Sequence, residues 1–278
     1  MSIKLIALDI DGTVVDADNN ISPSNKEAIK KVLESGIRIA LVTGRHRDGV
    51  KNVMEVLGLD FKTPLVLNNG ALIYSGDHIM WKDFLTADEA DGVIKFSTKI
   101  PGVATTVFQP DDIHLHCNLP MDHKWLIERL EVFGMRDIKV AENPEDLTRE
   151  DAAKIMLITE SSEKALEVYE MWPERLSNLK RTRSYPYLCE INSGTCDKGR
   201  GLKVLCEKLR ILPEEVLAVG DGESDIPMLS YAKHAVFVRH FDYLPKLPSH
   251  VTVTPEGYHT EGAAWAIEWA KGAGHLTY

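Results

Sequence analysis

Residues 3–13 read IKLIALDIDGT, and this stretch decides the fold. Its first six residues form a short, nearly continuous apolar run, which is typical of a strand buried on both faces of a parallel sheet. The run passes directly into Asp9, Asp11, Gly12 and Thr13. A buried strand that ends in two carboxylates predicts a polar site at its carboxyl end, which is where open α/β sheets bind their ligands.

The chain after this stretch alternates between helices and strands. The pattern predicts a helix from Ser22 to Gly36, a strand at residues 37–42, a helix at residues 50–57 and a strand at residues 64–67. A similar alternation returns in the last third of the chain. Strand–helix–strand order implies parallel pairing with right-handed crossovers. The predicted fold class is α/β, with a doubly wound, mostly parallel, three-layer Rossmann-like core.

The middle of the chain has a different pattern. Short strands and helices are mixed there without regular alternation, which indicates an α+β insertion. The 278 residues of the chain suggest about two domains of roughly 150 residues each. We therefore predict a discontinuous core domain at residues 1–83 and 189–278, and an inserted α+β domain at residues 84–188.

Charge and composition argue against several classes of protein. The net charge of −10 argues against a nucleic-acid partner, because binding to a phosphate backbone requires concentrated Lys and Arg. No run approaches the ~18 apolar residues of a membrane span, and the first residues lack the apolar segment of a secretory signal. Four cysteines without a CxxC pair favour reduced thiols. We therefore expect a cytoplasmic protein with neither a nucleic-acid nor a membrane partner.

Polar residues also occur beside other predicted elements of the core. Thr43-Gly44-Arg45 follows the second strand, the run from Gly220 to Asp225 follows a later one, and Asp197-Lys198 opens a helix. Carboxyl ends of parallel strands meet at one edge of the sheet, so these groups are expected to converge with Asp9 and Asp11. Converging carboxylates repel each other unless a cation lies among them. A hard divalent ion with oxygen ligands, above all Mg²⁺, is the expected cofactor.

The spacing within the first cluster indicates a chemical role. Asp9 and Asp11 are two residues apart and can flank one substrate, one as the nucleophile and the other as the carrier of a proton. Thr43, with the backbone amides that follow it, can hold a transferring phosphoryl group, and Lys198 can supply positive charge to its oxygens. These are the residue types expected for attack of a carboxylate on phosphorus.

Four short motifs in chain order resemble the signature of the haloacid dehalogenase superfamily. They are Asp9-x-Asp11-Gly12-Thr13, Thr43-Gly44-Arg45, Lys198-Gly199 and Gly220-Asp221-x-x-x-Asp225. The insertion lies between the second and third motifs, which is similar to the large-cap, Cof-type sugar-phosphatase branch. The resemblance implies a phosphatase whose inserted domain is a cap over the catalytic core.

The resemblance also implies roles for individual residues. Asp9 would be the nucleophile, and Asp11 the general acid and then the base. Asp221 would bind the metal together with Asp9 and the backbone carbonyl of Asp11. Asp225 would bind it through water or support it from a neighbouring position. The residues implied in phosphate binding are Thr43, Gly44 and Lys198.

Two features depart from the family pattern. Ser224 stands where the family usually has Asn, and residues 235–241 do not resemble the corresponding segment of the Cof branch. A serine cannot make the two-ended contact of an amide, so the phosphate pocket is expected to be bonded differently. Several residues could determine substrate specificity or could equally be ordinary surface or packing residues. These candidates are Arg45, His114, His116, Arg183, Tyr185 and Ser224.

The leading hypothesis is a Mg²⁺-dependent phosphatase. It would hydrolyse a small phosphate monoester, such as a sugar phosphate or a related metabolite, through an aspartyl-phosphate intermediate. A phosphotransferase or phosphomutase with the same intermediate is the alternative, since nothing in the sequence fixes the phosphoryl acceptor. A catalytically silent metabolite-binding regulator is a third hypothesis, and only Ser224 would favour it. The expected partner is a small-molecule phosphate ester, and the expected state is a monomer or a homodimer.

Overall fold

The computed structural model describes residues 2–60, 62–117, 123–132, 135–183, 185–240 and 244–277. The chain divides into two compact units. The core unit comprises residues 1–44, 51–81 and 197–278, and the inserted unit comprises residues 45–50 and 82–196.

Strands and helices are numbered in chain order. The strands are β1 (Leu5–Leu8), β2 (Arg38–Val42), β3 (Leu65–Leu67), β4 (Leu72–Ser75), β5 (His78–Lys82), β6 (Val103–Phe108), β7 (Ile113–Cys117), β8 (Lys139–Val140), β9 (Lys154–Thr159), β10 (Lys180–Thr182), β11 (Leu188–Asn192), β12 (Val216–Gly220), β13 (His234–Phe237) and β14 (Thr252–Val253). The helices are α1 (Pro23–Glu34), α2 (Asp48–Leu57), α3 (Ala87–Ser97), α4 (His123–Val132), α5 (Ser162–Glu170), α6 (Lys198–Leu209), α7 (Ile226–Tyr231) and α8 (Gly262–Gly272). Within the described part of the chain, none of these helices is long and apolar enough to span a membrane.

The core unit is built on an eight-stranded sheet with the order β14-β13-β12-β1-β2-β3-β4-β5. The strands from β14 to β3 are parallel, and β4 turns back antiparallel to β3. β1 lies between β2 and β12, and all of its residues are buried. These pairings confirm the predicted α/β fold with a mostly parallel sheet. β1 is apolar on both faces because a central parallel strand is covered on both sides.

Helices pack on this sheet. α6 and α7 pack on the face that carries Leu5 and Ala7, and α1 packs against α8. α1 begins at its predicted cap, where Ser22 Oγ accepts a hydrogen bond from the backbone of Asn25 at 3.2 Å. The Asn25 side chain donates to the carbonyl oxygen of Val14 at 3.0 Å. This bond anchors α1 to the loop that follows β1.

The inserted unit contains a six-stranded, mostly antiparallel sheet with the order β10-β11-β9-β6-β7-β8. α3 and α5 pack on the face that carries Val103, Ile155 and Ile191. α4 packs on the other face, beside Ile113 and Leu115. The predicted α+β character of the insertion is confirmed.

The junctions between the two units lie at other residues than predicted. β11 pairs antiparallel with both β9 and β10, so it belongs to the inserted sheet. The chain therefore returns to the core unit at Asp197, not at residue 189. Residues 45–50 also group with the inserted unit, where His46 Nε2 lies 2.9 Å from the carbonyl oxygen of Gln109. A short buried strand such as β11 has the same apolar sequence pattern in either sheet, so only its pairing partners show to which sheet it belongs.

Candidate active site

The loop after β1 places Asp9 at the carboxyl end of a central strand. Asp9 is buried, and its backbone N–H donates to the carbonyl oxygen of Val219 on β12 at 2.9 Å. The chain then turns tightly, with the Gly12 N–H donating to the carbonyl oxygen of Val15 at 2.9 Å. Gly12 has a φ of +77°, and a Cβ atom there would overlap Oδ2 of Asp221. Glycine at this position therefore lets the loop of β1 approach the loop of β12.

Lys198 joins two of the predicted carboxylates. It is the first residue of α6, whose N-cap Asp197 accepts a hydrogen bond from the backbone of Arg200 at 2.8 Å. Its Nζ donates to Asp9 Oδ1 at 2.7 Å and to Asp225 Oδ1 at 2.6 Å, and all three side chains are buried. Burial opposes the charge, but Asp225 and Asp9 outweigh it and raise the pKa of Lys198 above its ordinary value. Lys198 is thus a fixed cation that holds the carboxylate of Asp9.

Asp225 uses both of its carboxylate oxygens within the protein. Oδ1 accepts from Lys198, while Oδ2 accepts from the backbone N–H groups of Asp221 at 3.0 Å and Gly222 at 2.9 Å. It ends the short 3₁₀ turn Glu223–Asp225, which follows β12. Asp225 therefore orients Lys198 and the backbone of Asp221, which fits a residue that supports a metal site through its neighbours.

The carboxylates at this edge of the sheet fit a divalent cation. One oxygen each of Asp9, Asp221 and Asp225 lies within 4.8 Å of the other two. Lys198 balances one of these three charges. Burial raises the pKa of Asp9 to about 7, and the Asp225 carboxylate adds to this while Lys198 opposes it. Burial, followed by the charge of Asp9, also raises the pKa of Asp221. Crowded oxygen ligands with excess negative charge suit Mg²⁺, which Asp9 and Asp221 would hold.

We expect Mg²⁺ to stabilise the metal-depleted protein more at pH 8 than at pH 5. The pKa of Asp9 is about 7 in the folded protein against an ordinary value of 3.8, so between these values the folded protein binds more protons than the unfolded chain. The stability of the metal-free protein therefore falls as the pH rises through this range, while deprotonated carboxylates become available to the metal. Thermal unfolding in EDTA and in excess Mg²⁺ at both pH values measures the difference.

Asp221→Asn is the matched variant for this experiment, because it removes one carboxylate and keeps the shape of the side chain. It should lose most of the Mg²⁺-dependent rise in Tm at pH 8. A rise in the wild type that is equal at both pH values would contradict the assignment of these carboxylates to a metal site.

Thr43 and Gly44 follow β2, the strand next to β1. Thr43 is buried, its N–H donates to the carbonyl oxygen of Val66 at 2.8 Å, and its own carbonyl accepts from Asn69 at 3.0 Å. These bonds fix Thr43 at the same edge of the core sheet as the carboxylates. The predicted site residues that the structure brings to this edge are Asp9, Asp11, Thr43, Gly44, Lys198, Asp221, Ser224 and Asp225.

Two of the specificity candidates lie on β7 of the inserted unit. His114 and His116 are opposite Val107 and Thr105, so both are on the sheet face where α3 and α5 pack. His116 Nδ1 lies 3.0 Å from the carbonyl oxygen of Ala141. His114 Nε2 is buried without a hydrogen-bond partner among the described residues. The two histidines share one face of this sheet.

The remaining candidates other than Ser224 also belong to the inserted unit. Arg183 donates from Nη2 to the carbonyl oxygen of Pro186 at 2.7 Å. The ring of Tyr185 stacks on that of Tyr187, with 6.0 Å between centroids. Arg45 donates from Nη1 to a backbone carbonyl oxygen of α2 at 2.9 Å. Each of these three contacts lies within the inserted unit.

His240 is a residue of the site that the sequence analysis missed. Its Nε2 lies 2.7 Å from the carbonyl oxygen of Gly12 and 3.2 Å from Asp221 Oδ2. It belongs to none of the four motifs. However, it follows β13 after two residues, and polar residues just beyond the carboxyl end of a parallel strand are candidates for a ligand site. That rule could have identified it.

A parallel sheet whose loops after β1, β2 and β12 meet at one edge is the core of a doubly wound α/β enzyme. More particularly, residues 6–259 match the family of haloacid dehalogenase-like hydrolases, and the chain belongs to this family. The resemblance seen in the four motifs is thereby confirmed. The prediction of an enzyme, a phosphatase of the haloacid dehalogenase type, is confirmed at the level of this family.

Individual relatives extend over nearly the whole chain. A haloacid dehalogenase-like hydrolase from Bacteroides thetaiotaomicron has a TM-score of 0.79 at 24% identity, covering 96% of this chain and 99% of that one. The sugar phosphatase BT4131, of HAD subclass IIB, has a TM-score of 0.73 at 20% identity, covering 98% and 100%. The 5-amino-6-(5-phospho-D-ribitylamino)uracil phosphatase YwtE of Bacillus subtilis is 24% identical over 286 residues, 96% of this chain and 97% of its own.

Proposed function

We propose that the protein is a Mg²⁺-dependent phosphatase that hydrolyses a small phosphate monoester through an aspartyl-phosphate on Asp9. The observation that carries this proposal is the buried contact of Lys198 with Asp9 and Asp225, next to Asp221. A fixed cation beside a carboxylate at a ligand-binding sheet edge supports attack on an anionic ester, whose oxygens otherwise repel the nucleophile.

The reaction divides between two carboxylates of one loop. A bound Mg²⁺ would neutralise the ester oxygens and help to position the phosphoryl group. Asp9 forms a bond to phosphorus as the bond to the leaving oxygen breaks, and Asp11 gives that oxygen its proton. Water then attacks the phosphorus, Asp11 accepts its proton, and Asp9 leaves as a carboxylate. Lys198 holds Asp9 in one orientation through both steps.

Thr43 and Gly44 are proposed to bind the phosphoryl oxygens. Thr43 is fixed by its backbone bonds to Val66 and Asn69, so its position does not depend on a bound substrate. Fixed donors at the place where charge develops stabilise a transition state without reorganisation. Ser224, half-buried in the turn after β12, is proposed to contribute to the same pocket.

The inserted unit is proposed to act as a cap that selects the ester. Its candidate selecting residues are Arg45, His114, His116, Arg183 and Tyr185. The relatives support a small metabolite as the substrate, since one is named a ribitylamino-uracil phosphatase and another a sugar phosphatase. We also propose that the protein is cytoplasmic and functions as a monomer or a homodimer.

A panel of phosphate esters with Mg²⁺ tests the proposed function. We expect release of inorganic phosphate from one or more sugar phosphates, loss of this activity in EDTA, and recovery on addition of Mg²⁺. Phosphate that appears on an added sugar acceptor, without release to water, would favour the phosphotransferase alternative. Full activity after exhaustive chelation would contradict the metal dependence.

A further inference from the structure

We infer that His240 is a positioning residue of the metal site. It holds Oδ2 of Asp221 against the carbonyl group of Gly12, and through this contact it sets the affinity for Mg²⁺. This inference rests on the proposed function, which makes Asp221 a metal ligand. It goes beyond the four motifs, because none of them includes a residue after β13.

The hydrogen on His240 follows from its two neighbours. Nε2 lies 2.7 Å from the carbonyl oxygen of Gly12, which can only accept a hydrogen bond, and 3.2 Å from a carboxylate oxygen of Asp221. The nitrogen must therefore carry a hydrogen, which it donates to Gly12, and the Asp221 oxygen lies beside this N–H in an electrostatic contact. A protonated ring nitrogen offers no lone pair to a metal, so His240 Nε2 orients a ligand and is not one itself.

Through His240 the loop after β1 is linked to the loop after β12, and the metal site requires these two loops in a fixed relative position. Gly12 belongs to the loop of β1 and Asp221 to the loop of β12. The backbone N–H of Asp221 is already held by Asp225 Oδ2 at 3.0 Å, but this bond does not act on the Asp221 carboxylate. His240 supplies the second restraint, on the carboxylate itself. The absence of a Cβ at Gly12 gives the carboxylate room to take this position.

His240 is itself anchored by backbone bonds on the residues before it. The Val238 N–H donates to the carbonyl oxygen of Gly220 at 2.8 Å, and the Arg239 N–H donates to Thr254 Oγ1 at 3.0 Å. The donor therefore comes from a fixed segment beside β12. When a partner that orients a ligating carboxylate from outside the metal shell is removed, the metal affinity typically falls by about 10- to 100-fold.

The test measures metal binding directly, in the absence of substrate. Mn²⁺, which occupies oxygen-ligand sites of the Mg²⁺ type, is titrated into the metal-depleted full-length protein, and free Mn²⁺ is followed by electron paramagnetic resonance. His240→Leu should weaken Mn²⁺ binding by about 10- to 100-fold. His240→Gln, whose amide N–H can reach the place of Nε2, should restore most of the affinity.

His250→Leu is the matched control. His250 Nε2 also contacts two backbone carbonyl oxygens of the core unit, those of Leu229 and Ala232, each at 3.1 Å. Unlike His240, it forms no hydrogen bond or ion pair with the three clustered carboxylates in the described part of the chain. Its loss is expected to lower Tm in EDTA without changing the affinity for Mn²⁺.

The outcomes separate this inference from the proposed function. A wild-type protein that does not bind Mn²⁺ or Mg²⁺ would overturn the proposed function itself. Wild-type binding with an unchanged affinity in folded His240→Leu would overturn only the role of His240, and so would a Gln variant as weak as the Leu variant. If His240→Leu does not fold, His240→Phe keeps the ring without a donor. Failure of both to fold, beside a folded Gln variant with wild-type affinity, would make the role structural and overturn the inference.

Discussion

Asp9→Asn is expected to lower turnover by on the order of 10⁴-fold or more, because an amide cannot form the covalent bond to phosphorus. The fold should remain intact. Burial and the neighbouring Asp225 raise the pKa of Asp9, so its charge is held at a cost that the neutral amide avoids. Lys198 keeps its second partner, Asp225, at 2.6 Å. Steady-state rates and thermal unfolding in EDTA measure the two effects, and the Tm of the variant should equal or exceed that of the wild type.

Asp18→Asn is the control for this change. Asp18 is an exposed carboxylate nine residues further along the chain, so the same substitution there should leave turnover unchanged. Residual turnover of Asp9→Asn within about tenfold of the wild type, in a preparation free of other phosphatases, would exclude Asp9 as the nucleophile.

Asp11→Asn should lose activity to a degree that depends on the leaving group. General acid catalysis contributes about 10²- to 10⁴-fold, and the need for a proton grows with the basicity of the departing oxygen. The leaving group of a sugar phosphate is a basic alkoxide, whereas that of p-nitrophenyl phosphate is a weakly basic phenolate. The variant should therefore be impaired far more on the sugar phosphate, and rates on both esters with one enzyme preparation measure the difference.

Changes in the inserted unit provide the contrast to Asp11→Asn. His116→Ala or Tyr185→Ala should alter which ester is preferred without slowing hydrolysis of the phosphorylated enzyme. Equal losses on both esters in Asp11→Asn would show that its role as acid and base is misassigned. Accumulated phosphoenzyme in a variant of the inserted unit would show that the chemistry is not confined to the core unit.

The core fold could be predicted because its signals are local. β1 is apolar on both faces and passes at once into Asp9 and Asp11, so one short stretch determines both the kind of strand and the end that carries the site. The same applies to β12 with Asp221 and Asp225. Sheet geometry then brings these loops together without further information. Lys198 could be placed at the start of α6 because the residue before it, Asp197, is of a type that commonly caps helices.

Other features depend on contacts that local sequence does not encode. β11 is fully buried, and such a strand fits either sheet. The predicted boundary at residue 189 therefore assigned most of it to the core, whereas it pairs with β9 of the inserted sheet. The segment 45–50 begins with the last residue of the motif Thr43-Gly44-Arg45, yet it groups with the inserted unit. The position of His240 after β13 makes it a candidate from sequence, but its partners Gly12 and Asp221, more than two hundred and nearly twenty residues away, became apparent only in the structure.

Trapping the covalent intermediate is the most direct test of the mechanism. The protein is mixed with substrate and Mg²⁺, quenched with acid within one turnover, digested with protease and analysed by mass spectrometry. One phosphoryl group should be found on Asp9. It should accumulate in Asp11→Asn, where water lacks its base, and be absent from Asp9→Asn. A phosphoryl group on any other residue, or continued turnover with no phosphoenzyme in the wild type or in Asp11→Asn, would contradict the proposed mechanism.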